Sequence, residues 1–483
     1  MTDHLNKTPD WVKNAVFYQI FPDRFAWSQS VVKPANFEKW DSSPTTKGFK
    51  GGDLLGVMEK LDYLSDLGIT AIYFNPIFQS ASNHRYHTHD YYQVDPLLGG
   101  NKAFDQLLDA AHQQEIRIVL DGVFNHASRG FFQFNHILEV EDKSPYLDWF
   151  HIRGFPLHAY EGKPNYECWW NIPGLPKFNT DNPQVRQFIF DVARYWVEKG
   201  IDGWRLDVPF EIDDDAFWQE FREVVKTANP DAYIVGEIPS EAQRWMAGDQ
   251  FDAVMNYQIT QACLGFFGGE KYDRELAKGF MGLELPDTLN AAEFAQRSSE
   301  LLTLYPKEFA YAQLNLLDSH DMPRFLSLVN KDVNRLKLAY LFLFTYPGAP
   351  CVYYGDEIGL TGGRDPQCRK TFNWDQATWN LNIHEHMRSL IALRNANPVL
   401  RTGDYQPIYS QGKTLAYLRK DQESTMLVLI NADDKPVTFD VPVEGNFADG
   451  SLLMDQLGNR QFSVEAGSIQ QVQLEKLSGL ILA

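Results

Sequence analysis

Apolar and polar positions follow two periods along this chain. The runs AVFYQIF (15–21), ITAIYFNP (69–76), RIVLDGV (117–123), GWRLDV (203–208) and AYIVGEI (232–238) are nearly continuous apolar segments, the pattern of parallel strands buried on both faces. AVMNY (253–257), LLDSHD (316–321) and CVYYGDE (351–357) bring their number to eight. Stretches of helical period separate them. In LLGVMEKLDYLSDLG, Leu54, Met58, Leu61 and Leu64 recur on one face, and Gly68 stands where a C-terminal cap belongs. NPQVRQFIFDVARYWVEKG opens with Asn182 as N-cap and Pro183 at the first helical position, and closes at Gly200. Eight strand–helix repeats predict an α/β fold, a (β/α)8 barrel of the TIM type.

The third repeat departs from this rhythm. After VLDGVFNH comes a long irregular stretch rich in aromatics, Pro and Gly, read as a small inserted subdomain over 127–180 on the face that carries the strand C-termini. The barrel then occupies 1–126 and 181–397. From residue 398 the runs TLAYLRK, TMLVLINA and PVTFDVPV, broken by DD, EG and DG turns, predict a C-terminal antiparallel β-sandwich over 398–483.

Composition narrows the partners. The chain has 483 residues, enough for a large domain plus a smaller one, and a net charge of −20. Such a surface repels phosphate backbones and anionic lipid, so neither nucleic acid nor membrane is an expected partner, whereas a neutral substrate is compatible. Aromatics make up 14% of residues, consistent with a large core or with a groove that stacks flat apolar faces. Cys168, Cys263, Cys351 and Cys368 are scattered without metal-ligand spacing, and the N-terminus MTDHLNKTPDWVKN has no apolar signal core. The apolar stretch LKLAYLFLFTYPGAPCVYY is cut by Pro347, Gly348 and Pro350 and cannot span a bilayer. Reduced thiols and a cytoplasmic location are expected.

In a barrel of this kind, chemistry sits at the C-terminal ends of the strands. Those ends carry Asp121, Asn125 and His126 (third), Arg205 and Asp207 (fourth), Glu237 (fifth), and His320 and Asp321 (seventh). Carboxylates ending several apolar strands are costly to bury singly, so they are expected to share one polar pocket. A lone acid at such a position is commonly a structural ion pair, but several acids with two histidines and an arginine are not explained as scaffold.

DGVFNH, GWRLDV, VGEI and DSHD, in this order, resemble the four signature segments of the α-amylase family of glycoside hydrolases. The resemblance runs from about residue 10 to the end of the chain. It implies a retaining mechanism with Asp207 as nucleophile, Glu237 as general acid/base and Asp321 completing the set, the two reacting carboxyls standing about 5–5.5 Å apart. Arg205, on the same strand face as Asp207, is expected to keep that residue ionised. His126 and His320 are implied as donors to hydroxyls of the ring being cleaved, and Tyr86 as the aromatic stacked beneath it. Asp121 belongs to the binding set, and Asp365 with Arg369 matches the pair on the non-reducing side. Trp374, Trp169 and Trp170 are further candidates for sugar stacking, and Lys177 is a weaker one on the acceptor side.

FKGGDLLGVMEKLDYLSDLGITAIYFNPIF, SNHRYHTHDYYQVDPLLGG, LPKFN and GGRDPQCRKTFNWD are similar to the neopullulanase, cyclomaltodextrinase and maltogenic amylase branch. This resemblance implies action on maltooligosaccharides, cyclodextrins, pullulan or branched starch and glycogen fragments, through α-1,4 and also α-1,6 bonds. Three departures stand out. The first barrel strand begins near residue 15, so the extra N-terminal β-domain of that branch is absent from this sequence, and with it the usual route to a dimer; a monomer is favoured. Pro239 occupies a position where the family commonly has Trp. No cofactor is expected. Gly51 and Asp53 remain from a calcium-binding segment of some relatives, but WSQSVVKPANFEKW lacks the acidic ligands Ca²⁺ needs, and Asn125 is expected to act as a structural hydrogen-bonder, so no metal is assigned. Two other functions fit the same scaffold: a debranching enzyme selective for α-1,6 branches, or a transglycosylase. A protein that binds glucan without cleaving it belongs to a different class, and the retained carboxylates oppose it.

Overall fold

A computed structural model of the chain describes residues 7–279, 282 and 284–483. Eight parallel strands form the barrel: β1 (Phe17–Ile20), β2 (Ala71–Phe74), β3 (Arg117–Gly122), β4 (Gly203–Leu206), β5 (Tyr233–Gly236), β6 (Ala253–Val254), β7 (Leu314–Leu316) and β8 (Ala349–Tyr353). Each pairs with its neighbours in sequence, β1 pairs with β8, and the ring closes between β6 and β7 through the Met255–Leu314 bridge. Strands seven and eight each begin two residues before the predicted runs, so the DSHD segment lies on the loop beyond β7. There a polar run is tolerated because strand pairing has ended.

Side-chain parity divides the barrel. Phe17, Ala71, Tyr73, Val119, Val235, Ala253, Met255, Leu314, Leu316, Ala349 and Cys351 form one buried interior cluster. Residues of opposite parity, such as Tyr18, Ile72, Ile118 and Leu206, pack outward against the helices in a second, larger cluster. Following the inward parity toward the strand C-termini replaces apolar residues with Gln19, Asn75, Asp121, Arg205, Asp207 and Glu237. The apolar interior thus forms the floor, and the polar site sits on it.

The helix expected to end at Gly68 is two helices, Leu54–Met58 and Leu61–Leu67. Gly56 explains the tight entry: a Cβ there would lie 2.6 Å from the Ala26 backbone, so the first helix packs directly on that segment and the chain re-aims before the second. Gly68 does cap the second in the left-handed region, at φ 90°. The helix Pro183–Lys199 begins and ends as predicted, with Asn182 accepting from the Gln184 amide and Gly200 at φ 114°.

Between β3 and that helix the chain makes only short helices and isolated bridges. Its return leg is pinned to the continuation of β3, where Ala127 N–H donates to Pro176 O and Phe178 N–H to Asn125 O. Toward the C-terminus, a four-stranded antiparallel sheet (Asp404–Gln411, Thr414–Lys420, Thr425–Asn431 and Ser478–Leu482) faces the Val437–Pro442/Ser468–Leu474 pair across Leu418, Leu427, Leu429, Val441 and Val472. Arg419 seats this unit on the barrel by donating to the carbonyls of Leu400 and Gly403 at 2.7 Å each. Among the described residues, no helix is long and apolar enough to cross a membrane.

Candidate active site

Arg205 is the organising group. Its side chain is fully buried, and register places it beside Asp121 on β3. Nη1 donates to both Asp121 oxygens at 2.9 Å and to Asp207 Oδ1 at 3.2 Å, while Nη2 contacts Glu237 Oε1. One guanidinium therefore ties together acids from three consecutive strands. The guanidinium does pull Asp207 toward its charged form, as expected, and it serves Asp121 and Glu237 as well, with Asp207 the longest contact of the set. Glu237 is aimed by a second group, the Val208 N–H, which donates to Oε2 at 3.1 Å.

Asp321 arrives from the loop after β7. His320 Nε2 lies 2.9 Å from its Oδ2, and Arg369 Nη2 donates to its Oδ1 at 3.0 Å. Arg369 also holds that loop through the His320 carbonyl at 2.8 Å and reaches Asp365 at 3.2 Å. Asp365 and Arg369 are thus joined to the acid cluster rather than forming a detached surface pair. Tyr86 bridges the two halves of the site. Its hydroxyl donates to Asp121 Oδ2 at 2.9 Å and lies 2.7 Å from His320 Nε2, with the two rings nearly parallel at 8°.

Several participants were not singled out in the sequence. Gln19 Nε2 lies 2.9 Å from His320 Nδ1 and donates to Asn75 Oδ1 at 3.1 Å; Asn75 in turn donates to the Tyr86 hydroxyl at 3.1 Å. Because Gln19 is the donor, His320 accepts at Nδ1 and carries its proton on Nε2. Tyr73 donates to Asp121 at 2.9 Å, and Tyr257 donates to Glu237 at 3.5 Å. Their signal was parity: each of Gln19, Tyr73 and Asn75 shares the inward register of its strand. His84, within NHRYH, packs against Tyr86 at 5.7 Å between ring centroids.

Four carboxylates (Asp121, Asp207, Glu237 and Asp321) meet two guanidinium groups, so the cluster carries excess negative charge in a buried place. Burial pushes Glu237 up to about 7, with Asp321 adding to the rise and Arg205 opposing it. Burial also raises Asp207, and repulsion from Glu237 adds to it against the pull of Arg205. The pair therefore retains a proton near neutrality. Asp321 behaves oppositely: burial disfavours its charge, but His320 and Arg369 together hold it below the usual carboxylate range. Burial pushes His126 down to about 3, so it is neutral, and its Nε2 is buried without a hydrogen-bond partner.

Four sequence candidates are not brought to this cluster. Trp374 lies in an aromatic group with Phe25, Tyr63 and Phe372, and its single N–H donates to Phe25 O at 2.8 Å. Its ring is half-buried in this group, with no contact to the acid cluster. Lys177 donates to Glu211 O at 2.6 Å. Trp169 and Trp170 stand apart from the acids, stacked beyond His126.

The remnant of the calcium segment does not fit a cation. Asp53 gives Oδ2 to the Lys33 ammonium at 2.7 Å and the Ser28 N–H at 2.8 Å, and Oδ1 to the Gly56 N–H at 2.7 Å. A lysine already supplies the positive charge there. Among the described residues, no group of three or more His, Cys, Asp or Glu is arranged to hold a metal.

Comparison with known proteins decides the family. The model of the α-amylase catalytic domain matches residues 19–427, most of the chain, and that of the neopullulanase-like C-terminal domain matches 405–480. The chain belongs to the α-amylase family. It is similar to a cyclomaltodextrinase of Geobacillus thermopakistaniensis (strain MAS1), 44% identical over 469 residues, 96% of this chain and 76% of the relative. A crystal structure from Thermus thermophilus superposes with TM-score 0.94 at 48% identity, covering 98% of this chain and 99% of that one. The debranching enzyme of Nostoc punctiforme, solved after soaking with acarbose, gives TM-score 0.89 at 49% identity and covers 99% of both chains. This α-amylase family member is thus a glycoside hydrolase of the branch that acts on α-glucans, with a barrel and C-terminal sheets shared by its relatives.

Proposed function

We propose that this enzyme cleaves α-1,4 bonds, and α-1,6 bonds as well, in maltooligosaccharides, cyclodextrins, pullulan or branched glucan fragments. In this reading Asp207 is the nucleophile, Glu237 the general acid/base and Asp321 the group that tightens on the distorted sugar. The single observation that carries it is the Arg205 guanidinium shared by Asp207 and Glu237 on adjacent strands. Two carboxylates on one guanidinium stand close together, as required of a retaining pair about 5–5.5 Å apart. Asp207 attacks the anomeric carbon while Glu237 gives its proton to the departing glycosidic oxygen. Glu237, now a carboxylate, takes a proton from water, whose oxygen displaces Asp207 and releases the sugar. His126 offers its Nε2–H to a ring hydroxyl, and Tyr86 presents its face. Nucleophile and proton both come from the chain, so the reading requires no cofactor or metal. We also place the enzyme in the cytoplasm, in keeping with four unpaired cysteines, and favour a monomer.

A second reading is favoured by similarity. The Nostoc punctiforme debranching enzyme is 49% identical to this chain, beside 44% for the cyclomaltodextrinase. Preference for α-1,6 branches is therefore the main alternative, with transfer to a sugar acceptor as a variation on it. Product analysis on linear maltoheptaose, a singly branched maltooligosaccharide, pullulan and β-cyclodextrin separates them. Cleavage of linear chains supports the primary reading. Release of the branch with linear chains untouched replaces it with the debranching one.

The charge state makes a further prediction. Glu237 must be protonated to donate, and its carboxyl is raised to about 7, so kcat/KM is expected to fall as pH rises through about 7. The acid limb reports protonation of Asp207. A pH profile with an unassisted aryl leaving group should lose the limb near 7, since departure then needs no proton; a limb that persists would assign it to another group.

A further inference from the structure

Three stacked rings lead from the segment just beyond β3 to solvent. The Trp169 ring lies on His126 with centroids 5.6 Å apart and planes at 23°, and the Trp170 ring lies on Trp169 at 4.7 Å and 7°. His126 is almost fully buried just beyond β3, whereas Trp170 exposes 73% of its surface. An indole left open in a chain whose other large aromatics are mostly packed is an informative exception. Its position is imposed. Trp170 holds φ 50° and ψ 28°, and Asn171 follows at φ 57°, both left-handed. Such backbone is unfavourable unless the surroundings determine it. Here the Trp169 N–H donates to Leu175 O at 3.0 Å, the Ile172 N–H to Trp169 O at 2.9 Å, and the Leu175 N–H to Ile172 O at 3.0 Å. The turn is closed around the tryptophan and holds it outward.

A second observation points to a ligand. Trp169 Nε1 is buried without a hydrogen-bond partner, a donor on the edge of the same stack that the cleaved ring, served by His126 Nε2, leaves unused. An unmade bond of this kind is unfavourable, and a hydroxyl satisfies it. Flat apolar face and hydroxyl-hungry edge together describe a pyranose, and the net charge of −20 argues against an anionic alternative. We propose that Trp170 is an outlying glucan-stacking platform, receiving the apolar face of a glucose unit beyond the cleaved one, so that a chain leaving the acid cluster past His126 is held by the inserted segment. This rests on the α-glucan hydrolase reading and adds a preference for longer chains.

The test is binding to Glu237→Gln protein, which holds glucan without consuming it. Maltotriose and a long linear maltodextrin are titrated calorimetrically, with and without Trp170→Ala. Loss of one stacking surface should raise the Kd of the long chain roughly five- to twentyfold and that of maltotriose less than about twofold. Trp170→Phe, which keeps a ring, should recover most of the difference. Equal shifts for both glucans, or no shift for either, overturn the platform while leaving the hydrolase reading intact. Failure of the Glu237→Gln protein to bind either glucan overturns both.

Discussion

Replacing Asp207 with Asn is expected to abolish turnover of every glucan, lowering kcat by on the order of 10⁴-fold or more, or upward of about 5 kcal/mol in the barrier. The amide retains the shape of the carboxylate and can still accept from Arg205, but it cannot form the glycosyl ester. Mass spectrometry with an activated fluoroglucoside should show an adduct on Asp207 in the parent enzyme and none in the variant. An adduct on another residue, or retained turnover, would remove Asp207 from its role. The same substitution should not lower thermal stability. Asp207 is buried among other carboxylates, and burial together with Glu237 disfavours its charge, so neutralising it relieves repulsion. An unfolding midpoint equal to or above the parent's is therefore expected beside near-complete inactivation, the trade between stability and function seen where like charges are gathered for chemistry.

Glu237→Gln is expected to produce the second-largest loss, about 10²- to 10⁴-fold in kcat on glucans, the range for removing general acid/base assistance. The loss should depend on the leaving group. A glycosyl fluoride departs without a proton, so its first step should survive the substitution while its second step, which needs the base, is slowed. Stopped-flow measurement should then show a burst followed by a slow phase. Geometry adds a smaller penalty. Glu237 is ion-paired with Arg205 at one oxygen and accepts from the Val208 N–H at the other, and an amide has only one acceptor. One of those donors is left opposed to an NH₂ group, at a cost of about 1–3 kcal/mol. Equal loss on fluoride and glucan in the first step would show that Glu237 positions the site rather than donating a proton.

The strand-end acids were legible because each falls at the end of an apolar run, where a carboxylate has no structural reason to be. The connections among them were not. Arg205 was legible as a partner for Asp207, being two residues away on the same face, but not its reach to Asp121 and Glu237 across two strand pairings. Gln19 and Asn75 carry no motif of their own. They matter because β1 and β2 bring them beside His320 and Tyr86, 301 and 11 residues distant. Trp374 shows the opposite limitation: a tryptophan in a loop at the mouth of a barrel looks the same in sequence whether it faces sugar or wall, and here its N–H and ring are used by Phe25 and Phe372.

The order of apolar runs, their separation by amphipathic helices and the caps at Gly68, Asn182 and Gly200 are local properties, governed by backbone conformational preference and by which side of an element must be buried. They are present in the sequence alone, and they determine a (β/α)8 barrel with acids at its rim. The charge state of those acids is a long-range property. Coulomb interaction and desolvation depend on distance and burial, and only closure of the barrel sets either one. Closure makes one guanidinium serve three carboxylates, raises Glu237 to about 7, and holds Asp321 below the usual range beside His320 and Arg369. The residues proposed to do chemistry were written locally, but their charge states near neutral pH come from how far apart the fold places them and how little water it leaves between.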